Sequence, residues 1–167
     1  MNRVRRSRPA APPAGGFLLK PVGVVRSPFK NPEDLPPPAF APPRFLDHVA
    51  GEIAVFDEFA PALESLEGFS HIIVIFAFHR ASGFKLRTVP PGESRPRGVF
   101  ATRSPHRPNP LGMSVVRLLS RDGPVLKVSG LDLVDGTPVL DIKPYTRRDR
   151  KSRIRTGWLK DRPAVAR

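Results

Sequence analysis

"SHIIVIFAFHR" (residues 70–80) is the stretch that decides the fold. Seven consecutive residues, Ile72 to Phe78, are apolar, and the first four are β-branched. That pattern predicts a strand apolar on both faces and central in its sheet. The run is also too short to cross a bilayer, which takes ~18 residues or more. Upstream, "GEIAVF" (51–56) alternates as a half-buried strand does, and "FLLKPVGVVR" (17–26) reads as a first strand. Between them and the apolar run, "PALESLEG" (61–68) predicts one helical turn, with Pro61 early and Gly68 closing it. Downstream, "GVFATR" (98–103) predicts another strand. "MSVVRLLSRD" and "PVLKVSGLDL" predict a hairpin about Asp122–Gly123, and "TPVLDIKPY" (137–145) a last strand after the Asp135–Gly136 turn. Strands outnumber helices and their spacings are short. The fold class expected is mostly β: a small closed barrel of about seven strands, antiparallel or mixed, with few short helices.

Composition divides the chain into three. Residues 1–16 are arginine, proline, alanine and glycine without periodicity, and are expected to be a disordered basic tail. Residues 17–145 form one domain, with a proline-rich loop at 27–44; residues 146–167 form a basic extension. The formal charge of +13 is concentrated at the ends: residues 1–30 carry +7, residues 146–167 carry +7, and 31–145 are close to neutral at −1. Such ends attract polyanions, nucleic acid first, through counterion release; alternatively they serve only solubility. Cysteine is absent, which excludes disulfides and thiolate chemistry. With no secretory signal in the first twenty residues, a cytoplasmic location is expected.

Several chemistries find no support. There is no GxGxxG and no GxxxxGK[ST]. The four histidines, at 48, 71, 79 and 106, lack HxH or HxxxH spacing, so no metal is expected. Aromatics are sparse and sit mostly at core-like positions, so no base-stacking platform is expected.

Three stretches carry polar groups out of proportion to their length. In "ATRSPHRPNPLGMS" (101–114), three prolines stiffen a loop bearing Arg103, Ser104, Arg107 and Asn109. Arginine forks suit carboxylate or phosphate; equally, these groups can satisfy their own backbone. "FHR" (78–80) places His79 and Arg80 where the apolar strand emerges, lining a cleft or serving structure alone. "GLDLVDGTPVLDIKPY" (130–145) supplies Asp132, Asp135 and Asp141. Asp135–Gly136 is ordinary turn chemistry, whereas Asp132 can hold ribose hydroxyls or an ammonium.

"PVGVVRSPF" (21–29), "LEGFSHIIVIFAFHR" (66–80), "GVFATRSPHRPNPLGMS" (98–114) and "GLDLVDGTPVLDIKPY" together resemble the TsaA/TrmO family of tRNA N6-threonylcarbamoyladenosine methyltransferases. The resemblance implies a small β-barrel binding S-adenosyl-L-methionine (SAM), usually as a homodimer. It implies methyl transfer to N6 of the threonylcarbamoylated adenosine next to the anticodon of tRNA. By motif, the cofactor contacts implied are His79, Arg80, Arg103, Met113, Asp132, Leu133, Val134 and Asp135. Pro43, Arg44 and Phe45 of "PPRFL", where the family has a Pro-Arg-Gln-Pro-like segment, are further cofactor contacts implied by the resemblance. No catalytic residue is implied. Arg147, Arg148, Arg150, Lys151, Arg153 and Arg155 are expected to meet the phosphates of the anticodon stem-loop, with Arg107 as a further RNA contact. The "GWL" ending resembles the minimal, single-domain form of the family. Two other outcomes are open: a SAM-binding barrel that methylates another RNA base or a small molecule, and a non-enzymatic RNA-binding barrel.

Overall fold

The computed structural model describes residue 16, residues 18–35 and residues 46–161. The expectations placed on 1–15, 36–45 and 162–167, Pro43, Arg44 and Phe45 among them, lie outside the described residues. The strands are β1 (Gly23–Arg26), β2 (Ala50–Val55), β3 (His71–Ala77), β4 (Arg87–Thr88), β5 (Arg97–Gly98), β6 (Leu111–Asp122), β7 (Val125–Ser129) and β8 (Pro138–Pro144). Six of them close a barrel in the order β1-β2-β7-β6-β3-β8, while β4 and β5 form a separate two-stranded ribbon. Every pairing is antiparallel.

β3 is central, pairing β6 on one side and β8 on the other. Closure buries only one of its faces: Ile72, Val74 and Phe76 point into the core, and Ile73, Ile75 and Ala77 stay half-buried outside. The outer row therefore owes its apolar character to something other than the barrel interior. Closure needs bends. β6 is twelve residues long, pairs β3 along its first half and β7 along its second, and carries a register shift between Leu118 and Ser120. Such irregularities increase local twist and let one strand turn a barrel corner. At the β3–β6 pair Phe76–Gly112, a Cβ on Gly112 would come within 2.2 Å of the Phe76 ring, so glycine there is what lets the ring lie flat across the partner strand.

Four local expectations need correction. The first strand begins at Gly23, not residue 17; Leu18 is fully exposed and adds nothing to the core. In place of one turn at 61–68 stand two 3-10 turns, Asp57–Leu63 and Leu66–Gly68, separated where Ser65 takes φ +65°. The hairpin turn is Gly123–Pro124, one residue later than expected; Gly123 supplies φ +56° and proline the next fixed negative φ, the pattern of a type II′ turn. "GVFATR" is no strand: Val99–Ala101 is a 3-10 turn, closed by the Thr102 N–H and Oγ1 both donating to the Val99 carbonyl.

The ends of the barrel differ. β1, β3 and β7 finish, and β2, β6 and β8 begin, at the same rim, as the pairs Arg26–Glu52, Ala77–Leu111, Ala50–Ser129 and Phe76–Val139 require. The connections that follow β1, β3 and β7, beginning at residues 27, 78 and 130, therefore emerge together. Leu131 and Leu133 fold inward from the last of these and cap the core beneath them.

Candidate cofactor site

The rim is tied together loop to loop. The Asp135 carboxylate accepts from the Ser27 N–H at 2.9 Å and from Lys30 Nζ at 2.9 Å, while the Asp135 N–H donates to the Phe29 carbonyl. Ser27 Oγ donates to the Leu133 carbonyl at 2.6 Å. The Gly136 N–H, in a turn with φ +77°, donates to the Val25 carbonyl. These bonds pin the β1–β2 connection to the β7–β8 connection. The Lys30 bond first, and the Ser27 N–H second, hold the Asp135 carboxyl below its usual range, so it is ionised at neutral pH.

Asp132, three residues earlier, is exposed and accepts from Ser114 Oγ at 2.8 Å, which brings the β7–β8 connection onto the start of β6 beside Met113. Met113 lies on the outer face of β6 and is 51% exposed. On the third connection, Arg80 Nη1 donates to Asn31 Oδ1 at 3.4 Å, His106 Nδ1 lies 3.2 Å from the Ser82 carbonyl, and the Phe78 N–H donates to the Pro110 carbonyl. Partial desolvation first, then the Arg80 cation beside it, lowers the His79 pKa below its ordinary value. Arg103 is exposed and has no hydrogen bond or ion pair among the described residues.

Two hollows open here. One, of about 150 Å³, is lined by Pro32, Phe78, His79, Arg80, Ala81, Pro105, His106, Val134 and Thr137. A wider, shallower basin of about 500 Å³ is lined by Arg26, Ser27, Pro28, Lys30, Ala50, Glu52 and Asp135. The segment 134–137 contributes to both. His79, Arg80 and Val134 thus share one cavity, Asp135 faces the neighbouring basin, and Leu133 is buried, offering its carbonyl to Ser27. Arg103 lines neither hollow, although it stands on the same rim. Phe78, His106 and Thr137 were not singled out in the sequence; His106 lay in view within "SPHRPNP", between the two arginines that drew attention.

The described part of the C-terminal extension, residues 146–161, folds back onto the residues before β6. Thr146 and Asp149 cap a 3-10 turn at Arg147–Asp149, and Trp158 Nε1 donates to the Ala101 carbonyl at 2.9 Å with the Arg97 guanidinium over its ring. Arg147, Arg148, Arg150, Lys151, Arg153 and Arg155 are all exposed along this return path. No group of three or more His, Asp or Glu poised for a metal occurs among the described residues, nor a helix long and apolar enough to cross a membrane.

Residues 24–149 match the family model of the tRNA-methyltransferase O N-terminal domain. The chain belongs to this family. An S-adenosyl-L-methionine-binding protein of Archaeoglobus fulgidus is 53% identical over 130 residues, covering 78% of this chain and 90% of the relative. A tRNA (adenine(37)-N6)-methyltransferase of Escherichia coli is 42% identical, covering 77% of this chain and 57% of that enzyme. The crystal structure of TrmO from Pseudomonas aeruginosa superposes with a TM-score of 0.68 at 37% identity, covering 86% of this chain and 63% of that one. This TrmO-family chain therefore spans less than two thirds of those two relatives.

An adenosyl-type ligand needs apolar walls for its base and an anion for its hydroxyls or ammonium. The rim offers both: Phe78, Val134, Pro32 and Pro105 around the smaller cavity, and, outside both hollows, Asp132 with one carboxylate oxygen unengaged among the described residues. At about 150 Å³ that cavity is smaller than the roughly 300–1,000 Å³ of a complete small-molecule site.

Proposed function

We propose that this protein is a SAM-dependent methyltransferase acting on N6 of the threonylcarbamoylated adenosine beside the tRNA anticodon. The observation that carries the reading is the convergence, at one rim, of the connection bearing His79, Arg80 and Arg103 with the one bearing Asp132 and Asp135, the latter pinned to Ser27 and Lys30 after β1. SAM bound there supplies an already activated methyl group, so no protein nucleophile is needed. What the chain contributes is alignment, for which positioning supplies ~7–11 kcal/mol. Asp132 holds hydroxyls or an ammonium, and Val134 and the Leu133 backbone form the wall beside it. Arg103, exposed and without a partner among the described residues, presents a planar fork to a carboxylate such as that of the threonylcarbamoyl group. His79, neutral at pH 7, can accept a proton from N6; Asp135, held ionised by Lys30, is the weaker base.

The acceptor base leaves its stack to meet the methyl group, while the arginines from Arg147 to Arg155 position phosphates. We also propose a homodimer, supported by the outer face of β3 and β6, where Leu111, Met113 and Val115 are exposed beside half-buried Ile73 and Ile75. Met113 then touches cofactor at the edge of that interface. A cytoplasmic location follows from this substrate. Mass spectrometry of tRNA nucleosides after incubation with SAM tests the whole: a methyl gain confined to threonylcarbamoyladenosine supports it, and a gain on another base redirects it. Methylation of no RNA, together with a melting temperature raised by SAM, leaves a small-molecule acceptor.

A further inference from the structure

The excursion between β3 and β6 carries a second feature. Phe100 is 78% exposed, Leu86 68% and Phe84 59%, although the neighbouring Val99 is fully buried. Large apolar side chains are not left in water by want of a core here, because the same turn places Val99 correctly. Backbone contacts gather them on one strip. β4 runs antiparallel to β5 with Arg87 opposite Gly98, the Val99 N–H donates to the Leu86 carbonyl, and the Lys85 N–H donates to the His106 carbonyl. The strip is strongly basic: residues 84–107 hold six cations, Lys85, Arg87, Arg95, Arg97, Arg103 and Arg107, against one acid, Glu93. The Arg107 guanidinium stands 6.0 Å from the Phe100 ring centroid, yet most of Phe100 stays open to solvent.

We infer that Phe100, with Phe84 and the surrounding arginines, is a stacking platform for an unpaired base of the RNA loop. An exposed ring among cations is the composition that binds single-stranded nucleotides: the ring takes a base face and the cations take the backbone phosphates. A second protein copy would meet net positive charge with net positive charge. Location supports the same occupant, since the segment that holds Arg107 against Phe100 lines the cofactor cavity one and two residues earlier, through His106 and Pro105. A base held on Phe100 is thus a near neighbour of whatever enters that cavity. Trp158 binds the Ala101 carbonyl, so the basic extension is anchored beside the platform. Exposed Phe84 and Phe100 thus depart from the expectation that the aromatics sit mostly at core-like positions and offer no stacking platform.

The inference rests on the RNA-methyltransferase reading, and the test separates the two. Binding of a labelled anticodon stem-loop RNA is measured by fluorescence anisotropy for the wild type and for Phe100→Ala, Phe100→Leu, Phe100→Tyr and Phe84→Ala. The expected result is about tenfold weaker binding for Phe100→Ala and Phe100→Leu, a smaller loss for Phe84→Ala, and near-wild-type affinity for Phe100→Tyr. SAM affinity by calorimetry should be unchanged in all four. Phe100→Leu binding as tightly as wild type would overturn the stacking role, since leucine keeps apolar area without a π face. A Phe100→Ala protein that keeps its RNA affinity but changes oligomeric state by light scattering would reassign the strip to self-association. Wild-type protein that binds no stem-loop RNA would remove the RNA reading and the platform with it.

Discussion

The two ends of the barrel are built by different rules. At the turn end, β6 passes to β7 through two residues, and fully buried Leu126 and Ile53 pack across the adjoining strands. At the open rim, three long connections meet and are held by side chains: Asp135 to Ser27 and Lys30, Asp132 to Ser114, Arg80 to Asn31. Backbone pairing and apolar burial, with Arg121 donating to the Leu63 carbonyl and to Glu67, secure the first end, whereas the groups that tie the second also suit a ligand. Stability and function should therefore separate by position along the barrel axis.

The sharpest break of that contrast is at Leu126. Leu126→Ala removes a fully buried side chain from β7 and should cost about 2–5 kcal/mol of stability, read from urea denaturation, with SAM affinity retained in the folded fraction. Arg103→Ala is its counterpart. Exposed and unpartnered among the described residues, Arg103 should leave the unfolding free energy within about 0.5 kcal/mol of wild type. Losing its charge-assisted bonds should lower turnover on threonylcarbamoylated tRNA by about ten- to a hundredfold. Arg103→Lys keeps the charge without the fork and should not restore it. A large stability loss in Arg103→Ala would show that the rim is structural after all.

Glycine 112 sits where the two rules overlap. Gly112→Ala drives a methyl into the Phe76 ring, an overpacking expected to cost about 1–3 kcal/mol. Phe76→Leu in the same chain should recover part of that loss, and recovery is what separates a packing clash from a general intolerance of change at β6.

How far the sequence foretells each end follows the same division. The barrel strands were legible because each carries a local signal: residues 51–56 alternate, Ile72 to Phe78 is a β-branched apolar run, and Asp122-Gly123-Pro124 announces a turn to within one residue. The rim residues were legible as motifs, but their distribution between two hollows was not, because nothing local says that Asp135 will be engaged by Lys30, 105 residues away. "GVFATR" misled since its residue types suit a strand, and burial of Val99 beside exposed Phe100 is met equally by the 3-10 turn that forms there. Trp158 meets Ala101 across 57 residues, a contact with no local signature. Its prediction is correspondingly modest. Trp158→Ala should release the basic extension, making the bonds after Arg150, Lys151, Arg153 and Arg155 faster trypsin sites with little change in global stability.

The smallest expected effect concerns His79. Its native pKa is lowered, first by partial desolvation and then by Arg80, so the folded protein binds fewer protons there than the unfolded chain does. Stability should rise with pH across the window between the lowered native value and the ordinary histidine value, and the contribution is lost as pH falls through it. Titration of the His79 ring by NMR should place its midpoint below the ordinary value of about 6.5. Arg80→Gln should move it part of the way back and no further, because desolvation remains. A midpoint at or above the ordinary value in the wild type would remove the charge logic of the rim. On the proposed reading SAM brings a positive sulfonium, and a protonated His79 would add a second cation to the cavity beside Arg80, whereas a neutral ring adds none and keeps a lone pair free for the N6 proton. Turnover should therefore fall on acidification along the same curve as the His79 titration, and should shift with it in Arg80→Gln.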